Sequence, residues 1–280
     1  MNISSGLLNG LYQTILQASK EVNSLFVTKN FTVTQKGIND PLSTADLKSN
    51  EILRSGLTKL LSNAAWISEE SDLKNDRLNH EFAWIVDPID GTREFVSGVA
   101  EFSISVGLVQ NGTAIMGAVA MPAEDLYVFG AKGIGVFVVD RGKTEKVESL
   151  LNSSMKEATI LVSNTEFKNG VLNQVSKSLK IKPTGSVARK LALVAAGRYD
   201  ANISLYPKNE WDICGGCALI NVLNGLTLQQ NRTNQEWQPH QFNQESLLSF
   251  GLIAASKPLA TEIANQQRLE GWIVHRKYES

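Results

Sequence analysis

The sequence predicts a mixed protein of the α/β (α+β) class, and three observations support this prediction. Apolar residues recur at helical spacing through residues 6–25, which is the pattern of an amphipathic helix. Two runs rich in β-branched residues, 102–109 and 114–121, are joined by Asn111-Gly112, which is typical of a tight hairpin turn. In the second half of the chain, strand-like and helix-like runs alternate, and this favours a sheet covered by helices.

The first half is predicted to contain a pair of helices followed by an antiparallel meander. The second helix of the pair is expected over residues 46–62, where leucine and isoleucine residues fall on one side. Short strands are expected, in chain order, at residues 31–35, 64–67, 83–86, 102–109, 114–121, 127–129 and 135–139.

The second half is predicted to contain both helices and strands. The predicted strands cover residues 159–163, 200–205 and 248–254, and the predicted helices cover residues 167–179, 187–196 and 212–223. The charged, turn-rich stretch 140–156 separates these elements from the first half. We therefore expect an N-terminal α+β half over residues 1–150 and a C-terminal α/β half over residues 151–280.

Composition and charge exclude several classes of protein. The 280 residues include 27 Lys and Arg against 28 Asp and Glu, a formal net charge of -1. This balance gives no electrostatic reason to bind a nucleic acid polymer or an anionic membrane. The start of the chain lacks the pattern of a secretory signal, and its apolar runs are too short to cross a bilayer. Together with only two cysteines, this predicts a cytoplasmic protein.

The most informative segment is residues 87–92, where an apolar run leads into Asp-Pro-Ile-Asp-Gly-Thr. Two carboxylates as close as Asp87 and Asp90 repel each other unless positive charge lies between them. Carboxylates and carbonyls are hard oxygen donors suited to Mg²⁺, Mn²⁺ or Ca²⁺. Gly91 permits a tight turn before a helix that begins at Thr92, and N–H groups at a helix start bind phosphate oxygens. The segment predicts a divalent-metal site; the alternative is that the aspartates only cap a turn.

Two other acidic positions support a metal site. Glu69-Glu70 follows a predicted strand, where the active-site loops of sheet proteins gather, although adjacent glutamates are also common on solvated surfaces. Asp212 follows Trp211 and precedes a predicted helix, so it is either a ligand or a simple N-cap.

Together these segments resemble the signature motifs of the inositol monophosphatase superfamily, a group of Mg²⁺-dependent, lithium-sensitive phosphatases. The matching segments occur in the family's order and spacing: residues 40–46, Glu69-Glu70, residues 87–92, Thr184-Gly185-Ser186 and Trp211-Asp212. The resemblance implies a layered αβαβα sandwich of the inositol monophosphatase and fructose-1,6-bisphosphatase type. It places most metal ligands in the first half and a substrate-side helix in the second.

The resemblance also implies a role for each matching residue. Two to three Mg²⁺ ions would be held by carboxylates and one backbone carbonyl, those of Glu69, Asp87, Ile89, Asp90 and Asp212. Asp40 and Thr92 would orient and deprotonate the attacking water, and Glu70 would orient metal ligands or that water. The backbone N–H groups of Gly91 and Thr92 would bind the phosphate, while Gly185, Ser186 and Asp212 would face the substrate.

The expected partner is a small phosphorylated substrate, and a homodimer is compatible with the resemblance. Residues 92–95, Thr-Arg-Glu-Phe, resemble the 3′(2′),5′-bisphosphate nucleotidase branch, whose substrate is 3′-phosphoadenosine 5′-phosphate. Lys208 is the candidate contact for a second phosphate, as a point charge, or else a surface lysine. That branch usually has a longer, arginine-containing loop before Trp-Asp. Inositol 1-phosphate and other sugar phosphates therefore stay as alternative substrates.

Other classes of protein fit the sequence less well. A phosphatase with an aspartyl nucleophile needs Asp-x-Asp-x-Thr, and residues 87–92 carry an extra residue between the aspartates. A non-catalytic metal- or ligand-binding regulator that keeps the fold is a further alternative, although the set of candidate ligands is complete. A zinc site at Cys214 and Cys217 lacks the usual four ligands. We therefore interpret both cysteines as structural, and a redox effect on the nearby Asp212 stays a hypothesis.

Overall fold

The computed structural model describes residues 3–37, 40–72, 75–173, 175–231 and 233–275. The helices are α1 (Ser5–Thr28), α2 (Thr44–Leu60), α3 (Thr92–Val96), α4 (Asn164–Lys168), α5 (Val175–Ser178), α6 (Val187–Ala195), α7 (Glu210–Val222) and α8 (Lys257–Glu270). None of the helices within these ranges is both long enough and apolar enough to cross a membrane.

Most of the strands form two larger sheets. The first sheet contains, in spatial order, β3 (Ala65–Ser68), β4 (Phe82–Asp90), β5 (Ser103–Gln110), β6 (Thr113–Met121), β7 (Leu126–Ala131), β8 (Gly135–Asp140) and β9 (Lys143–Val147). The second contains β11 (Lys180–Thr184), β10 (Thr159–Ser163), β12 (Ala201–Ser204), β17 (Leu252–Ala255), β14 (Leu226–Gln230) and β15 (Trp237–Pro239). Two small pairs join β1 (Val33–Gly37) to β2 (Asp40–Ser43) and β13 (Lys208–Asn209) to β16 (Leu248–Ser249).

The elements stack in five layers, α-β-α-β-α, as the sequence predicts. On the outer face of the first sheet, Leu11 of α1 and Leu53 of α2 pack with Trp84 in one apolar cluster. Between the sheets, α6 and α7 share a second cluster with both sheets, for example through Ile85 and Leu252. A third cluster joins the far side of the second sheet to α5 and α8. Each sheet is thus buried on both faces, which explains the long apolar strands.

The first sheet follows the predicted meander. Pairing is antiparallel from β4 through β9, and β3 lies parallel to β4. The Gln110–Thr113 pair closes a two-residue hairpin at Asn111 and Gly112, both of which have positive φ. Such φ values favour Asn-Gly, so this turn prediction is confirmed.

Helix α7 lies unusually close to the first sheet because glycines face each other there. A methyl group added at Gly117 of β6 would lie 2.2 Å from the carbonyl oxygen of Gly215, and one added at Gly107 would lie 2.4 Å from the Cys214 Sγ. Neither position has room for a side chain. The small residues at the start of the helix therefore allow its first turn, with Asp212, to approach the end of β4.

Several element predictions for the second half are wrong. The helix expected at 167–179 is replaced by the short helices α4 and α5, with a turn at Gly170 (φ +72) between them. The strand expected at 248–254 is divided between β16 and β17, which pair with different strands. Helix α8 and the strands β9, β11, β14 and β15 have no counterpart among the predictions.

Candidate active site

A cleft of about 350 Å³ lies where the first sheet, α6 and α7 meet. The four acidic residues predicted as metal ligands, Glu69, Asp87, Asp90 and Asp212, all line it. They come from the ends of β3 and β4 and the first turn of α7. The convergence of side chains that are far apart in the sequence is the central geometric feature of the chain.

An irregularity at the end of β4 allows both aspartates of the Asp-Pro-Ile-Asp segment to line the same cleft. Asp87 pairs with Ser105 and Asp90 pairs with Ser103, so three steps along β4 match two along β5. Side chains alternate along a regular strand, and residues three apart point to opposite faces. The bulge resets that alternation. It is held by Ser49, whose hydroxyl donates to the Pro88 carbonyl oxygen at 2.9 Å.

Glu69 and Glu70 follow β3 and share a lysine. The Lys36 Nζ lies 2.7 Å from Glu69 Oε1 and 2.7 Å from Glu70 Oε1. Burial acts to lower the pKa of Lys36, but the hydrogen bonds to the two glutamates outweigh it and raise the pKa. Burial raises the pKa of Glu69 to about 7, and the contact with Lys36 opposes that rise. The ammonium group thus supplies positive charge at one side of the acidic cleft.

Asp90 is fixed by donors from the turn that precedes α6. Its Oδ2 accepts hydrogen bonds from the Ser186 hydroxyl and the Ala188 N–H, both at 2.6 Å. Ser186 has φ +49, which is a strained conformation for a residue other than glycine. The buried Lys190 ammonium supports this turn by donating to the carbonyl oxygens of Thr184 and Ser186 at 3.1 and 2.9 Å.

Asp212 occupies the third position of α7 and accepts a hydrogen bond at 3.0 Å from the Asn209 N–H. This is the carboxylate half of a capping box whose N-cap residue is Asn209, so the interpretation of Asp212 as the N-cap itself is wrong, and its side chain also lines the cleft. Asp212 is half-buried, and burial raises its pKa well above the usual value, with the charges of Asp90 and Glu69 adding to the rise.

The buried carboxylates disfavour one another's ionised form. Burial raises the pKa of Asp87 well above its usual value, and the charges of Glu69, Asp90 and Asp212 raise it further. Burial also raises the pKa of Asp90, although hydrogen bonds from Ser186 and Ala188 act in the opposite direction. Like charges gathered in a low-dielectric cleft need a compensating cation.

Within the described residues, the carboxylate that contacts Thr92 is that of Asp46. Its Oγ1 lies 3.0 Å from Asp46 Oδ1 and 3.0 Å from the Ile89 carbonyl oxygen. Asp46 also accepts from the Ser43 hydroxyl and N–H at 2.6 and 2.8 Å, as the third residue of α2. The side chain of Asp40, which the sequence predicts as the partner, lies outside the described residues. The carboxylate next to Thr92 in the described structure is therefore that of Asp46.

The donor set suits hard divalent cations, although the carboxylates are not gathered around one point. Within the described ranges, no group of three or more His, Cys, Asp or Glu side chains has the spacing of ligands around one ion. Glu69 is engaged by Lys36, and Asp90 by Ser186 and Ala188. The repulsion among the buried carboxylates nevertheless leaves a demand for positive charge, and oxygen donors of this kind fit Mg²⁺.

The other predicted site residues also lie around this cleft. Gly91, Gly185, Ser186 and Lys208 all line it. Gly91 has φ +96 and begins the short helix α3, which explains why glycine stands there. Glu70, by contrast, is held beside the cleft through Lys36.

Four residues around the cleft were missed as site residues: Lys36, Asp46, Glu101 and Glu166. Glu101 Oε2 accepts from the Gly185 N–H at 2.7 Å and from Asn164 at 2.9 Å, so it joins the first half of the chain to the turn before α6. The capping spacing of Ser43 and Asp46 was a usable signal for Asp46. The other three depend on long-range contacts, and local sequence gives no sign of them.

The two cysteines lie inside the protein, between α7 and its neighbours. Burial raises the pKa of Cys217 to about 12 and that of Cys214 well above its usual value. A thiol in such surroundings is a poor nucleophile and a poor metal ligand, which is consistent with a structural role.

Comparisons with known proteins agree with this architecture. A model of the inositol monophosphatase family matches residues 4–271. An inositol-1-monophosphatase of Mesorhizobium japonicum is 30% identical over 228 residues, covering 79% of this chain and 85% of that protein. A 3′(2′),5′-bisphosphate nucleotidase CysQ of Haemophilus influenzae is 25% identical over 252 residues, covering 89% and 91%.

Solved structures show the same fold. The extragenic suppressor protein SuhB from Bartonella henselae superposes with a TM-score of 0.75 at 23% identity, covering 93% of this chain and 98% of that one. CysQ from Bacteroides thetaiotaomicron, a bacterial member of the inositol monophosphatase family, gives a TM-score of 0.71 at 24% identity, with coverage of 91% and 98%. The chain therefore belongs to the inositol monophosphatase family of phosphatases.

Proposed function

We propose that this protein is a Mg²⁺-dependent phosphomonoesterase whose first substrate candidate is 3′-phosphoadenosine 5′-phosphate. The observation that carries the proposal is the convergence of Glu69, Asp87, Asp90 and Asp212 on one cleft. These carboxylates and the Ile89 carbonyl would hold two to three ions. Bound Mg²⁺ would supply positive charge that neutralises phosphate oxygens and makes water more acidic.

The residues of the chain would position the reactants and move one proton. The Thr92 oxygen would accept a proton from the attacking water while its own proton passes to Asp46 Oδ1, which is 3.0 Å away. Glu70 would orient that water. The N–H groups of Gly91 and Thr92 would bind the phosphate at the start of α3, and Ser186 would keep Asp90 in place.

Positive charge on one side of the cleft favours a substrate with a second anionic group. Lys190 and Lys208 line the cleft together with Tyr206, on the side formed by the second half of the chain. A second phosphate would meet positive charge there, and this supports the bisphosphate nucleotide. The relatives include both nucleotidases and inositol monophosphatases, so inositol 1-phosphate is the second candidate.

The test is phosphate release with Mg²⁺ from a panel of 3′-phosphoadenosine 5′-phosphate, inositol 1-phosphate and fructose 1,6-bisphosphate. We expect the nucleotide to have the highest kcat/KM, chelation to stop release, and Li⁺ to inhibit. Asp212→Asn should abolish activity and weaken Mg²⁺ binding in calorimetry, whereas the exposed control Asp76→Asn should behave as wild type. Equal or better turnover of inositol 1-phosphate would refute the nucleotide assignment, and release unaffected by chelation would refute the metal-dependent mechanism.

A further inference from the structure

A buried ion pair lies behind the substrate side of the cleft. The Lys208 Nζ lies 3.3 Å from Glu166 Oε1, and the Glu166 side chain has no exposed surface. Lys208 lines the cleft, but its side chain is only 11% exposed. A buried carboxylate on a short, non-catalytic helix is costly unless it is fully engaged, so its contacts indicate what it does.

Glu166 fastens the loop that carries Lys208. Its Oε2 accepts from the Leu205 N–H at 2.8 Å, and its Oε1 accepts from the Tyr206 N–H at 3.4 Å. The Ser204 hydroxyl also donates to Oε1. One carboxylate on α4 therefore holds the last residue of β12 and the next two residues of the loop that leads to Lys208.

The same loop is held from its other side by the end of the described chain. The His275 N–H donates to the Leu205 carbonyl oxygen at 2.8 Å, and the His275 ring meets the Tyr206 ring edge-on with centroids 5.0 Å apart. The backbone of Lys208 pairs with Ser249 in the β13–β16 ladder. The loop is thus fixed in position, and the charge of Glu166 acts directly on the Lys208 ammonium.

The position of that ammonium matters because two acidic residues compete for it. Lys208 lines the same cleft as Asp90 and Asp212, so all three groups share one electrostatic environment. A buried ammonium that loses its partner is left as an uncompensated charge, which is strongly destabilising, so pairing with another anion becomes favourable. Without Glu166, Lys208 would turn toward the acidic cluster and leave the substrate side.

Lys190 does not replace Lys208 in this role. Its ammonium donates to the carbonyl oxygens of Thr184 and Ser186 and lies 3.4 Å from that of Gly185. These bonds direct it to the turn before α6. The positive charge that Glu166 positions on the substrate side is therefore that of Lys208.

We propose that Glu166 is a positioning residue that sets the preference of the cleft for substrates with a second anionic group, by holding the Lys208 ammonium on the substrate side. This inference rests on the proposed phosphatase function. It assigns a role to a residue that touches neither the substrate nor a candidate metal ligand.

The test compares adenosine 3′,5′-bisphosphate with adenosine 3′-monophosphate, which lacks the second phosphate. The readout is the ratio of the two KM values, measured with saturating Mg²⁺ in wild type, Glu166→Gln, Lys208→Met and the double variant. We expect both Glu166→Gln and Lys208→Met to reduce the preference for the bisphosphate about tenfold, mainly through KM and not through kcat. The double variant should be no worse than either single variant, because both act on one interaction.

Two further variants keep the test decisive. Glu157→Gln, at an exposed glutamate whose carboxylate accepts a hydrogen bond from the Ser154 hydroxyl at 2.8 Å, is the matched control and should leave the ratio unchanged. Glu166→Asp keeps the charge on a shorter side chain and should restore part of the preference, which remains measurable even where Glu166→Gln folds poorly.

Each outcome has a defined meaning. A ratio that responds to Lys208→Met but to neither Glu166 variant would overturn the inference and leave the phosphatase proposal intact. Additive effects in the double variant, or a wild-type enzyme with no preference for the bisphosphate, would overturn it as well. Absence of Mg²⁺-dependent release from both nucleotides in the wild type would instead refute the proposed function.

Discussion

Replacing Gly215 by alanine tests whether the close approach of α7 to the first sheet positions Asp212. Gly215 lies one turn after Asp212 on the same helix. An added methyl group would lie 2.8 Å from the Val106 carbonyl oxygen and 3.0 Å from the Val106 nitrogen. Both are backbone atoms of β5, an interior strand of the first sheet, and they cannot rotate away as a side chain can.

The expected displacement follows from these distances. A relaxed contact needs about 3.4 Å or more, so the helix must move outward by roughly 0.6 Å. Overpacking of this kind costs about 1–3 kcal/mol, and the better helix propensity of alanine offsets about 1 kcal/mol of it. Because a misplacement of about 1 Å at a reacting centre costs roughly 100-fold in rate, we expect activity to fall about tenfold with only a modest loss of stability.

The assays are urea unfolding, Mg²⁺-dependent phosphate release, and calorimetric titration of Mg²⁺. The matched control is Gly6→Ala in α1, where the added methyl group meets nothing nearer than the Ser4 Oγ at 3.8 Å. That control should gain up to about 1 kcal/mol of stability and keep full activity. A Gly215→Ala protein with wild-type turnover and wild-type Mg²⁺ affinity would show that the position of α7 does not govern the site.

Three further predictions follow from the same structure. Burial raises the pKa of Asp87, so at pH values above the usual carboxyl pKa its ionised form destabilises the metal-free fold. Asp87→Asn should therefore raise the melting temperature without metal, and abolish both activity and the rise in melting temperature that Mg²⁺ causes. A lower melting temperature without metal would contradict this. Burial lowers the pKa of His240 to about 4, although a hydrogen bond to the Thr227 backbone opposes this shift. The unfolded chain takes up a proton first as the pH falls through 6.5, so about 2 kcal/mol of folding stability is lost between pH 7 and pH 5. His240→Phe keeps a ring against Phe242 and should flatten the dependence of the free energy of unfolding on pH, measured by urea unfolding, whatever its steric effect at neutral pH. An unchanged dependence on pH would count against the role of His240. Thr92→Ala and Asp46→Asn should each reduce kcat about 10²–10⁴-fold, and the double variant should be no slower than the single variants in steady-state kinetics. A double variant whose loss in kcat equals the product of the two single losses would place the two residues in separate steps.

The parts of the fold that the sequence predicts well are those set by local patterns. The helix of residues 6–25, the hairpin at Asn111-Gly112 and the strand that leads into Asp87 depend on periodicity and turn chemistry within a short window. The observed α1, β5–β6 hairpin and β4 agree with them to within a few residues. The failure at 167–179 is also instructive, because its apolar spacing suggests a helix while Gly170 adopts φ +72 and ends α4.

The candidate site likewise contains residues that local sequence predicts and residues that it does not. The acidic residues stand in motifs, and their positions at strand ends and at a helix start follow from the local sequence. The partner of Thr92 does not, because Asp40 and Asp46 both stand in the resembling segment. The choice depends on the capping geometry at the start of α2 and on a contact between residues 46 positions apart. Glu166 is less visible still, since it stands in none of the resembling segments and its partners are 38 to 42 residues away.

The arrangement of the carboxylates connects the function of the protein to its stability. Glu69 and Asp87 come from neighbouring strands, whereas Asp212 comes from a helix that only the packing of facing glycines brings close. The mutual repulsion of these carboxylates opposes the packing that brings them together. The burial of apolar side chains between the sheets must therefore supply the free energy that offsets this repulsion. A cation that binds only the folded state adds its binding free energy to the stability of the fold. Mg²⁺ should therefore stabilise more than the cleft itself, because the candidate ligands come from the ends of β3 and β4 and from α7, and they cannot converge unless the first sheet and α7 are in place.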